Sequence, residues 1–119
     1  MNWKEAETLI RQTIIAGTKL DKRTVLEGPD YPCYKYNYTG AKGFKVKIGA
    51  TTFLEIPFTM LQAVFEDAVA NNRIYENKVF KNKFDRQLKN HGCHVHVVGR
   101  IFEKAGIATQ IDNRRYKVF

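Results

Sequence analysis

The chain has 119 residues, with 20 lysines and arginines against 12 aspartates and glutamates, and a net charge of +8. At 44% hydrophobic and 27% charged residues it is neither disordered nor fibrous, and no apolar run approaches the ~18 residues of a membrane span. A chain of this length buries a core without metal or disulfide staples, so nothing forces a cofactor.

The opening MNWKEAETLI is acidic and amphipathic, unlike a secretion signal, so the chain reads as cytoplasmic with Cys33 and Cys93 reduced. The positive excess favours anionic partners, nucleic acid first. Trp3, Ala6, Leu9, Ile10, Thr13 and Ile14 fall on one helical stripe, which predicts a helix over about 3–16, capped by Asn2 and Glu5 and ended by Gly17.

The segments TVLEG, CYKYNY, GFKVKIG and TTFLEI favour strands, and GPDYP, TGAK and GA between them read as turns, which gives a β-meander. Alternation puts Tyr34, Tyr36 and Tyr38 on one face. It also sets Phe44, Val46 and Ile48 opposite Lys45 and Lys47. Lysines on a face without aromatics are solvated or grip phosphate, but they do not form a stacking platform for bases.

From Thr59 the pattern changes, and a boundary near Ile56-Pro57 divides the meander (1–57) from a helical half (58–119) of the same compact domain. Thr59 and Gln62 have the spacing of a capping box, followed by an apolar face from Met60 to Val69 and a helix to about Asn72. A short strand, RIY, precedes a helix over about 78–89, and a tight turn at His91-Gly92 leads into CHVHVVGRIFEKAG, a third helix. IATQI and RRYKVF then form a hairpin around Asp112-Asn113. The fold class is α+β.

In the order helix, strand, helix, turn, helix and hairpin, residues 58–119 resemble a winged helix-turn-helix domain, with VGRIFEKAGIATQIDNRRYKVF as its third helix and wing. The resemblance implies that the third helix lies in a DNA major groove and that the wing contacts the backbone or minor groove. It implies Arg100 and Lys104 on the helix, and Arg114, Arg115 and Lys117 on the wing, as contacts. Some winged helices bind only proteins, and a fold does not choose between these.

The residues point the same way on their own. Val95, Val98, Ile101, Phe102 and Ala105 share an inward arc with His94, while His96, Gly99, Arg100 and Glu103 face outward with Lys104 at the flank. Arginine and lysine read guanine edges and hold phosphates, whereas Glu103 repels phosphate. On the hairpin, Arg115 and Lys117 oppose Tyr116 and Val118; they suit a phosphate grip or a sheet edge blunted by charge.

The cluster HGCHVHVVGR invites a metal or catalytic reading, which helix geometry weakens. Cys93 and His96 are three apart, but His94 and His96 diverge on a helix, so no four-ligand set forms here. A lowered Cys93 pKa beside a histidine would be needed for thiol catalysis. Asp30, Glu55, Glu66 and Asp67 make no recognisable pair; Pro29-Asp30 resembles the opening of a restriction-type nuclease motif, but the following strand, KVK, lacks the required carboxylate. The expectation is a non-enzymatic nucleic-acid-binding protein without metal or cofactor. It contacts duplex DNA through His96, Arg100, Lys104, Arg114, Arg115 and Lys117, with Lys45 and Lys47 as further phosphate anchors. A homodimer through the N-terminal helix or meander is a possible assembly, and the competing expectation is a protein-interaction module or structural oligomer.

Overall fold

α1 (Trp3–Thr13) starts at the expected reciprocal cap: Asn2 Oδ1 accepts from the Glu5 N–H at 2.9 Å, and Glu5 Oε1 accepts from the Asn2 N–H at 3.1 Å. It ends three residues early, because Ile14 turns extended (φ −93°, ψ 109°); Ile14 is buried while Ile15 is left exposed. The computed structural model describes all residues, 1–119.

Four antiparallel strands follow in the order β1 (Lys19–Leu20), β2 (Arg23–Cys33), β3 (Ala41–Lys47) and β4 (Phe53–Pro57). One expected turn is placed differently. GPDYP lies inside β2, where the register with β3 shifts between Val25 and Tyr31. Gly28 adopts φ +139°, and a Cβ there would lie 2.3 Å from Phe44 Cδ1, so only glycine lets this bulge cross Phe44. Pro29 lacks an N–H and fits the irregular segment.

CYKYNY, expected as a strand, leaves the sheet after Cys33 and turns, with Tyr36 at φ +58° and Thr39 at φ +50°. The cause is the buried Glu55, whose Oε1 accepts from the Tyr34 and Lys35 N–H groups at 2.7 and 2.8 Å. The three tyrosines therefore share no face. Tyr34 is exposed, while the hydroxyls of Tyr36 and Tyr38 accept from Asn90 and Gln87.

In the second half α2 (Phe58–Ala70) runs directly out of β4, with Pro57 at its cap and no side-chain cap bond. Thr59 is thereby inside the first turn, so the expected capping box does not form. β5 (Ile74–Tyr75), α3 (Asn77–Asn90), α4 (His94–Lys104), β6 (Ala108–Asp112) and β7 (Arg115–Val118) complete the chain. α3 bends at Phe84, whose backbone leaves the helical region (φ −129°, ψ 39°). The second sheet has the order β5-β7-β6, with both pairings antiparallel.

Four helices and two antiparallel sheets make an α+β fold. Its 28-residue core cluster draws on both halves. A chain of rings crosses the junction: Trp3 packs on Phe65 (5.8 Å between centroids), Phe65 on Phe102 (6.1 Å), and Phe102 on Tyr75 (5.7 Å). Ala6, Ile10 and Ile14 are buried within the chain, so α1's stripe is already covered. No helix is long and apolar enough to cross a membrane.

Candidate nucleic-acid interface

α4 is enclosed on most of its circumference. Val95, Val98, Ile101 and Phe102 are buried as its periodicity demands, but so are Val97 and Gly99. Gly99, expected on the outer face, lies under the Tyr116 ring; a Cβ there would sit 2.3 Å from Tyr116 Cε1. Glycine inside a helix costs about 1 kcal/mol relative to alanine, and here it admits the hairpin onto the helix. β1 packs on α4 as well, which leaves His96, Arg100 and Glu103 partly exposed and Lys104 open to solvent.

Charge on this strip is partly compensated. Arg100 Nη1 donates to Glu103 Oε1 at 2.7 Å, and this bond is the main cause that raises the arginine's pKa. Glu103 thus neutralises Arg100 locally instead of standing alone. Beside them, the β1–β2 turn closes a cleft of about 240 Å³ in which Lys19, Leu20 and Asp21 face Arg100, Glu103 and Lys104. His96 is held below the ordinary imidazole range by burial first, then by Arg23, Arg100 and Arg114. Arginines from β2, from α4 and from the β6–β7 hairpin therefore all act on one histidine.

Beneath them lies the hydroxyl of Tyr116, buried without a hydrogen-bond partner. Burial pushes its pKa up, and Arg100, Glu103, Arg23 and Asp21 all act on it.

At the hairpin tip the turn residues are Asn113 and Arg114, one position later than expected, because Asp112 pairs with Arg115 across the strands. Asp112 accepts from the Arg114 N–H at 2.9 Å and from Arg115 Nε at 2.7 Å; these bonds, in that order, hold its carboxyl below the usual range. Arg114 and Lys117 are exposed and form no ion pair, whereas Arg115 is tied to Asp112. Tyr116 and Val118 point inward, so Arg115 and Lys117 occupy the hairpin face turned away from α4. Of the basic hairpin residues, only Arg114 is among the charges that act on His96, and its own cleft is lined by Glu76, Asn77, Asp112, Asn113 and Arg115.

Lys45 and Lys47 share the outer face of β3, but that face is not free of aromatics. Lys45 Nζ sits 4.5 Å from the Phe53 ring centroid and 5.9 Å from that of Tyr31, with Glu27 Oε2 at 4.0 Å. Lys47 is exposed and unpaired, and with Lys22 and Thr24 it lines a cleft of about 220 Å³. Sequence reasoning passed over Lys19, Lys22 and Arg23. Their signal was three cations in five residues at a turn.

The remaining chemistry candidates are dispersed. No group of three His, Cys, Asp or Glu side chains is placed to hold a metal ion. His94 is buried with Nδ1 2.8 Å from the His91 carbonyl oxygen, which can only accept, and burial lowers the pKa of the ring. The Cys93 thiol is pushed up by burial, opposite to what an activated nucleophile requires, and Cys33 is pushed up to about 12 by burial and Glu55. Asp30 contacts Arg11 and Lys42, Asp67 contacts Lys83, and Glu55 binds backbone, so these carboxylates do not converge. No family model, curated protein or solved structure matches the chain.

Proposed function

We propose that the protein binds nucleic acid, duplex DNA in the first instance, through the exposed strip of α4 and the tip of the β6–β7 hairpin. The observation that carries this reading is the uncompensated charge around the strip. Arg114 and Lys104 form no ion pair, although Asp112 and Asp21 line their clefts, and the strip's own Glu103 is occupied by Arg100. A winged-helix identity for residues 58–119 is supported by the order α2-β5-α3-α4-β6-β7 and by the pairing of β5 with β7, the second strand of the closing hairpin and the middle strand of the sheet.

The enclosed setting of α4 shapes the mechanism. β1 on one flank and the hairpin on another leave a strip of four polar side chains, too narrow for the helix to lie along a major groove for its whole length. Phosphate contacts by Arg114 and Lys104 supply most of the affinity, and Arg100 contacts a base edge or phosphate only when it exchanges Glu103 for that partner.

The test is binding to a labelled random-sequence duplex by fluorescence anisotropy, across about 50 to 200 mM salt. Each lost phosphate contact lowers the slope of log affinity against log salt by about 0.9, so Lys104→Ala with Arg114→Ala should flatten it by about 2. Absence of binding at the lowest salt defeats the reading.

A further inference from the structure

The cations of the α4 strip do not stop at the edge of the second half. Leu20 pairs with Arg23 across the β1–β2 turn, and the turn packs against α4 so that Lys19 and Asp21 share one cleft with Arg100, Glu103 and Lys104. On its other side the turn contributes Lys22 and Thr24 to a second cleft with Lys47 and the start of the β3–β4 loop. Lys19 Nζ donates to Thr24 Oγ1 at 3.0 Å, which holds its ammonium between the two clefts.

None of Lys19, Lys22, Arg23 and Lys47 takes part in an ion pair. Asp21 is the one carboxylate in this turn, and Glu103 is bound to Arg100. Tyr116, packed against Gly99 of α4, keeps a buried, unpartnered hydroxyl on which both Arg23 and Arg100 act.

We propose that the β1–β2 turn joins the meander to α4 as one phosphate-binding track, running from Arg114 past Arg100 and Lys104, over Lys19 and Lys22, to Lys47. The inference rests on the nucleic-acid reading above and extends it: the N-terminal half is part of the interface, not a separate scaffold. The partner it fits is an extended polyanion rather than a single anion. The molecule measures 35 × 30 × 27 Å, so a track confined to one face is bounded at about nine phosphates of a strand at ~3.4 Å each. A free nucleotide would engage only one cleft.

The test uses the full chain with Lys19, Lys22 and Lys47 changed together to alanine. All three are exposed, so the fold is preserved. On a labelled duplex of about 20 base pairs, the triple variant should bind at least ~10-fold more weakly at low salt and lose about 2 to 3 units of salt slope. Lys22→Glu alone should weaken binding further than Lys22→Ala, and Lys4→Ala, an exposed lysine on α1 outside the track, should change neither quantity. Wild-type binding with Arg114→Ala and Lys104→Ala effective but the triple variant unchanged overturns the track alone. Absence of wild-type binding overturns the track together with the reading beneath it.

Discussion

Lys45 and Lys47 sit two residues apart on the same face of one strand, yet they belong to different surfaces. Lys45 lies in the middle of the meander, over Phe53 and Tyr31, beside Glu27 and directly across from Glu55. Its charge is screened by carboxylates, and its stem covers rings. Lys47 lies at the open end, across from Thr24 and Phe53, with Lys22 sharing its cleft and no carboxylate lining it. Net charge alone is therefore a poor guide to a polyanion site. Pairing decides which cations remain available, and pairing here is a matter of strand register.

Lys47→Ala should weaken duplex binding by up to ~10-fold at low salt and lower the salt slope by about 0.9, whereas Lys45→Ala should leave both unchanged. Equal losses from the two would show that the track does not end where pairing predicts.

A second change tests whether the hairpin fixes the α4 strip. Gly99→Ala gains about 1 kcal/mol of helix propensity but overpacks the Tyr116 ring by about 1 to 3 kcal/mol. The expected result is a net loss of about 1 kcal/mol in urea unfolding. A more stable Gly99→Ala variant would mean that the ring moves aside freely and that the strip is not held by it.

The smallest effect separates the buried from the exposed side of α4 by pH. His94 and His96 both have folded pKa values below the ordinary range, mainly through burial, so the unfolded chain takes up their protons first. Stability is full above the unfolded pKa and is lost as pH falls from about 7 to 5. Binding runs the other way: a phosphate beside His96, among Arg23, Arg100 and Arg114, favours the imidazolium. Duplex affinity should therefore rise about three-fold between pH 7.5 and 5.5, and His96→Asn should abolish that rise. A pH-independent affinity in the wild type would place His96 outside the contact.

What could be read along the chain was local. The Asn2–Glu5 cap, the apolar face of α2, the inward turn of His94 and the opposition of Lys45 to Phe44 each depend on residues a few positions apart, and each is found where periodicity puts it. The failures were equally specific. Glu55 captured two backbone N–H groups and turned CYKYNY out of the sheet, Phe44 required the Gly28 bulge, and Pro57 carried β4 straight into α2 past Thr59.

At the candidate site, residue pattern alone is enough for a positive excess, a helix that turns Arg100 outward and a basic hairpin tip. It takes the packed fold to show that Tyr116 covers Gly99, that Arg115 and Lys117 face away from α4, and that Lys19 shares a cleft with Lys104. Periodicity fixes which way a side chain leaves its own element. Which distant charge it meets depends on packing between residues 80 positions apart, and no local pattern encodes that.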